Sequence, residues 1–443
     1  MSRWTRPERH SLLDLRRGLA IVVVRFRIIG GMQIWRSGLA VTVGMLVTSG
    51  SLLAQESGAD WPQWRGPSRN GTLGSFTPPD RWPEQLTRRW QVEVGEGYAT
   101  PVLVGDRVYI FSREAEDEIM RALDAATGDV AWATSYPAPF SFDAAADPSG
   151  PGPKATPTFT AGRLYTLGLG GVVTAFDAAH GDIVWQAPAS PIGPLFGTAA
   201  SPLVDGDLVI VHVGGHDDGA LTAFDASTGA VRWAWAGDGP GYASPVVVEL
   251  HGTRQVITQT QDHVVAVDVA TGALLWQRPF STPYQENSID PVVVDGLVIV
   301  SGTQTPTVAF RVMRETDAWT TQDVWENTEA TFYMTHGLLV DRMLFGLSER
   351  NSGQYILLDT TSGETIWTSA GRRAENAAMV RAGQTVFALE DDAELIVGQL
   401  TSTGFEETRR YDVGNSATWA QPTISGNRVF VKDVATLTLW TFD

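Results

Sequence analysis

AFDASTGAVRW, residues Ala223–Trp233, is the stretch on which the fold turns. The phrase returns as ALDAATGDVAW (Ala122–Trp132), AFDAAHGDIVW (Ala175–Trp185) and AVDVATGALLW (Ala266–Trp276), and more loosely as LLDTTSGETIW (Leu357–Trp367). Each copy reads as a strand, a tight turn and a second strand closed by Trp. An Asp at a turn accepts hydrogen bonds from the backbone N–H groups just beyond it, and Gly supplies the positive φ a hairpin needs. The motif pairs are therefore Asp124 with Trp132, Asp177 with Trp185, Asp225 with Trp233, Asp268 with Trp276 and Asp359 with Trp367. Such a Trp suits a wedge between neighbouring sheets, its indole N–H donated to a backbone carbonyl. One hairpin of this kind cannot bury its own apolar face. Several stacked in a row can.

Working outward, a small residue and Pro recur ahead of each unit, as in Ala99-Thr-Pro101, Ala155-Thr-Pro157, Ala200-Ser-Pro202, Ala243-Ser-Pro245, Ile289-Asp-Pro291 and Ala420-Gln-Pro422. An alternating run, a Gly turn and a second apolar run follow, so each unit is four short antiparallel strands. The closing positions fall at Trp132, Trp185, Trp233, Trp276, Trp325 and Trp367, with Tyr411 in the seventh place. The eighth unit begins at Ala420 and reaches Asp443 without its last strand, which the segment Arg88–Val94 can supply. A unit completed by a strand from far up the chain closes a ring. The expected fold is all-β, an eight-bladed propeller over residues 88–443 at about 44 residues per blade. Two units depart from the pattern: the fifth has Ala309-Phe310-Arg311 where Asp is expected and carries an insertion to Trp325, and the seventh has Val397-Gly398-Gln399 and no Asp turn.

Ahead of the ring, residues 55–87 include WPQWRGP (Trp61–Pro67), read as a strap docked on the body through its two Trp rings. Residues 1–54 read as an extension and export signal: Met32 to Arg36 is short and basic, Ser37–Ala54 is uncharged, and a true start at Met32 would account for the seven arginines before it. That places the body outside the cytoplasm, periplasmic or secreted. An uncleaved anchor is the rival reading of the same apolar run. The chain has no cysteine, which excludes disulfides, thiolate metal sites, c-type haem attachment and a cysteine nucleophile. Beyond residue 59 the charge is 24 basic against 47 acidic side chains, a surface that repels phosphate backbones and argues against nucleic acid as a partner.

The D-x-x-[TSH]-G-x-x-x-W repeat resembles the pyrroloquinoline-quinone-like repeat family. That family includes quinoprotein alcohol dehydrogenases and the non-enzymatic propeller of the outer-membrane assembly machinery. The dehydrogenase branch would imply a quinone stacked between a Trp and a vicinal disulfide, over a calcium ion held by Glu, Asn and Asp. This chain cannot form that disulfide, although another quinone-using branch manages without it. Fold does not carry function across such a family.

If a ligand binds, the expected place is the channel mouth, lined by the segments leading into each first strand. Those segments hold Tyr98, Lys154, Tyr242, Asn287, Asp290, His336, Glu375, Asn376 and Trp419. Lys154 is one of two lysines, suited to a carboxylate or quinone oxygen or to a salt bridge with a neighbouring blade. Glu375, Asn376 and Asp290 are the set resembling an oxygen-ligand cation site. His212 and His216-Asp217-Asp218 read as a solvated hairpin tip, and His336 as a hydrogen-bonded structural residue. The leading expectation is a monomeric, non-enzymatic scaffold binding an envelope protein or peptide. The alternatives are a quinone- and Ca²⁺-dependent dehydrogenase and a polysaccharide-binding surface.

Overall fold

The Asp–Gly–Trp hairpin forms as its residues dictate. Asp225 Oδ1 accepts the N–H groups of Ser227 and Thr228, both at 3.0 Å, and Gly229 turns the chain at φ +73°. The flanking strands Asp218–Asp225 and Val231–Trp235 pair antiparallel with Ala223 opposite Trp233. The carboxylates of Asp124, Asp177, Asp268 and Asp359 repeat the arrangement.

In this computed structural model the described residues are 60–443 apart from 75 and 141–149. The extension and export signal expected over 1–54 lie outside them. Among the described residues no helix is long and apolar enough to cross a membrane.

Eight four-stranded antiparallel sheets form the blades of the propeller. Blade 1 runs Val102–Val104, Arg107–Glu114, Asp117–Asp124 and Val130–Pro137 from the axis outward. Blades 2 to 7 follow in chain order, with inner strands Thr158–Thr160, Leu203–Asp205, Val246–Leu250, Val292–Val294, Leu338–Val340 and Ala377–Ala382. Blade 8 takes three strands from Thr423–Thr441 and its outer strand, Thr87–Glu93, from the start of the ring. Thr87 pairs with Thr441 and Gln91 with Thr438, which closes the circle.

Each Trp wedge reaches the next blade. Trp233 is nearly buried, and its indole N–H donates to the Val269 carbonyl of blade 4 at 2.9 Å. Its ring lies against Gly272, where a Cβ would stand 2.6 Å from Trp233. Trp90, Trp132, Trp185 and Trp325 donate in the same way to Ala125, Ala178, Ala226 and Thr360. Only a residue without a side chain lets the ring lie this close to the turn.

The two irregular units close differently. In blade 5 the outer hairpin lengthens, pairing Thr305–Glu315 with Ala318–Asn327, and Phe310 meets Trp276 edge-on at 5.6 Å. With no Asp turn to face, Trp276 gives its indole N–H to the Gln255 side chain of its own blade, 2.9 Å away. In blade 7 the Thr401 hydroxyl closes the turn, donating to the Gly404 carbonyl and accepting from the Thr403 N–H. Gly404 then takes the place against Trp367.

The strap does more than cover the outside. Trp61 bridges to Leu103 on the inner strand of blade 1, and the Phe159 N–H of blade 2 donates to the Pro62 carbonyl. Thr72–Leu73 returns as a fifth strand, parallel to the inner strand of blade 7 (Thr72 opposite Arg381). Residues 60–74 therefore run inside the ring. Phe76 and Trp82 then pack on Phe387 and Phe442 before the chain becomes the outer strand of blade 8.

Candidate functional site in the channel

The strap's turn brings Trp64, Arg65 and Arg69 to the segments leading into the inner strands of blades 3 to 6. Trp64 donates its indole N–H to Asp290 Oδ2 at 2.7 Å, and its ring stands edge-on to His336 at 5.1 Å. Asp290 Oδ1 accepts the Ser244 N–H at 2.7 Å and lies 3.3 Å from His336 Nε2. His336 Nδ1 is 3.2 Å from the Met334 carbonyl, so both ring nitrogens have protein partners. Burial alone would raise the Asp290 pKa, but His336, Arg65 and the Trp64 N–H outweigh it and hold the carboxyl below its ordinary value.

Arg65 donates to the carbonyls of Asn70 and Gly337, at 3.0 and 2.7 Å. Arg69 donates to the Gln63 side chain and to the carbonyls of Pro202, Ser201 and Pro245. Burial draws the Arg69 pKa down to about 10, Asp290 pulling it up and Arg65 pushing it further down. One segment thus ties blades 3, 4, 5 and 6 together at the axis. Composition points to the two Trp of the strap, but nothing in it marks the arginines as channel residues. The available signal is two arginines in a Gly/Pro-rich segment of a strongly acidic body.

The other residues expected at the channel mouth fall into separate groups. Tyr242 and Lys154 belong to one, together with His216 and Phe196. The Tyr242 hydroxyl is 3.3 Å from His216 Nε2 and accepts the Phe196 N–H, while Lys154 Nζ donates to the Phe196 carbonyl at 2.8 Å. Burial draws the Lys154 pKa down to about 8 and pushes the Tyr242 phenol up. Tyr98 faces Trp419 at 6.4 Å. Asn287 is fully buried and spends its amide on the Thr260, Gln261 and Phe280 carbonyls, a loop-fixing role.

The solvated tip expected around the histidine loop holds only in part. Asp217 and Asp218 are exposed at the turn, but His212 is a strand residue with 3% exposure, its Nε2 3.1 Å from the Asp238 carbonyl. Burial holds it neutral, with a pKa near 4. The apolar run LVIVHVGG carries the ring inside with its neighbours, away from the polar His-Asp-Asp that follows.

The calcium ion that the dehydrogenase branch would imply does not fit these residues. Both Asp290 oxygens are taken by protein donors, Asn376 Oδ1 accepts the Thr335 hydroxyl at 3.0 Å, and Glu375 is exposed, its backbone N–H bound to Asp391. A cation would have to displace these partners one by one. Among the described residues, Glu390, Asp392 and Glu394 also converge, yet Arg410 bridges Glu390 and Glu394.

The family model described as outer membrane protein assembly factor BamB matches residues 22–233 and 116–369. The chain belongs to this family. The assembly factor BamB of Yersinia pestis is 26% identical over 307 residues, 64% of this chain and 70% of that one. The dehydrogenase subunit of a quinone alcohol dehydrogenase from Komagataeibacter europaeus is 31% identical over 153 residues, 30% of this chain and 19% of that protein. Among solved structures, BamB of Moraxella catarrhalis is 18% identical with a TM-score of 0.57, covering 80% of this chain and 99% of that one. A europium-containing methanol dehydrogenase is 13% identical with a TM-score of 0.62, covering 87% and 98%. At such identities the structural likeness speaks for the fold. Both kinds of relative share it.

Proposed function

We propose that this protein is a non-enzymatic binding platform of the cell envelope, acting on the periplasmic side or outside the cell and engaging a protein or peptide. The observation that carries this reading is the strap bound at Asp290. Trp64 and Ser244 occupy both oxygens of the one candidate ligand carboxylate that lies deep in the channel. A propeller whose axis is held by its own chain offers partners its rims and edges instead. The outer strands suit strand addition: each leaves one edge unpaired in its blade, and Val130, Ile183, Val231 and Ile366 are exposed on four of them. The assembly-factor relatives align over more of the chain than the dehydrogenase relative does, which supports the same direction.

The quinone reading is the alternative, favoured by the 31% identity to a dehydrogenase subunit. The two separate on one titration of purified protein with pyrroloquinoline quinone and Ca²⁺, followed by absorbance, thermal shift and dye reduction with alcohols or sugars. The platform reading expects no response in any of the three, and a specific envelope protein recovered by crosslinking and lost when charged residues replace Val130 and Val231. Tight quinone binding with turnover would overturn it.

A further inference from the structure

Beneath the strap's turn the axis is not filled. A cavity of about 410 Å³ remains between strap residues 63–70 and the inner strands of blades 3 to 6. Its inner-strand side is aliphatic, with Val204, Val247, Val293 and Leu339 among its residues, and its strap side is polar, with Gln63, Arg65, Arg69 and Asn70. At the end where the inner strands turn back, the rim carries Arg254, itself paired with Asp205.

The charges do not balance. Neither Arg65 nor Arg69 forms an ion pair among the described residues, and Asp290 is the single carboxylate acting on both. That carboxylate is already shared with His336, Trp64 and Ser244. Arg69 places four donor contacts on neutral oxygens, and its Nε–H is buried with no partner. A buried guanidinium N–H left unmatched is costly. Rim and wall together hold three guanidiniums against two carboxylates, an excess of positive charge inside a strongly acidic protein.

We propose that this cavity binds a small monocarboxylate with an apolar body, its carboxylate against Arg69 and Arg65 and its hydrocarbon along the valines. The volume suits a compact organic acid. A charge-assisted contact would supply the preference for anions, and the aliphatic wall a preference for hydrocarbon over sugar. The inference is independent of the platform reading, since a partner on the outer edges neither requires nor forbids a ligand at the axis.

Calorimetric titration of the full chain with sodium octanoate, octanamide and a short peptide ending in a leucine carboxylate tests it. Octanoate is expected to bind at a single site at least about tenfold more tightly than octanamide. Arg69→Gln should weaken octanoate by about tenfold or more. Val247→Trp, which fills the cavity and leaves both arginines, should abolish binding with the melting transition retained. Val293→Trp makes the same test from the next blade if the first variant folds poorly. Equal affinity for octanoate and octanamide, binding that survives the filled cavity, or no octanoate binding up to about 10 mM would each overturn the proposal. So would binding of the peptide acid without octanoate, which would move the ligand from a free acid to a chain terminus.

Discussion

Trp233 and Trp64 each direct an indole N–H at a polar acceptor, yet they hold the molecule together by different means. Trp233 meets a neutral carbonyl and a glycine in a dry junction between blades. Trp64 meets a buried carboxylate that also answers to His336 and Ser244. The wall is therefore stabilised by removing ring surface from water, with geometry set by the absent Cβ at the turn. The axis is stabilised by matching donors to acceptors around charges that cannot be solvated. Wall contacts should fail by loss of volume and axis contacts by loss of a hydrogen bond.

The most severe test removes Leu437–Asp443, which strips the partner from Thr87–Glu93. No cooperative melting transition should remain, whereas a frayed tail would leave the curve unchanged. Next, Trp233→Ala should cost about 3–5 kcal/mol in urea unfolding, the range for emptying a large aromatic site. A loss near zero would remove the wedge from the account of the wall. Acid tests the same dryness at His212, whose buried ring is neutral in the fold with a pKa near 4 against 6.5 for the free side chain. The unfolded chain binds the extra proton first, so stability is full above pH 6.5 and falls progressively as pH drops towards 4, by up to about 3 kcal/mol. His212→Gln should flatten that part of the stability profile. Gly272→Ala should cost about 2 kcal/mol, from a Cβ forced onto Trp233 at a positive φ. The smallest effect belongs to the axis. Trp64→Phe keeps a ring beside His336 but leaves Asp290 Oδ2 without its N–H, for a loss of about 1–2 kcal/mol.

The contrast also explains how far the sequence can be read. The wall repeats one packing solution, so Asp225, Gly229 and Trp233 recur with their spacing and the ring can be counted. Closure is legible because the eighth unit lacks a strand that Trp90 and its neighbours can provide. Where a unit finds another solution, legibility ends. The insertion to Trp325 marks the longer hairpin, but nothing in Ala309–Arg311 announces that Trp276 turns to Gln255. The axis is a single-copy arrangement with no internal repeat to compare. Asp290 and His336 are both visible as channel candidates, but their common neighbour Trp64 lies 226 residues from Asp290 in sequence. The arginines' partners are mostly backbone carbonyls, which carry no side-chain signature at all.

The strap and the closing strand are consecutive, and this sets an order of events during synthesis. Arg89 is made 354 residues before Asp443, its ion-pair partner, and Trp61 precedes every inner strand it touches. The earliest part of this body to be translated is thus among the last to find its place, and until then it leaves both an open sheet margin and a hollow axis. Contacts so distant along the chain form slowly and leave sticky intermediates exposed in the meantime. A nascent polypeptide of this kind keeps that margin unpaired until the whole circuit has been made.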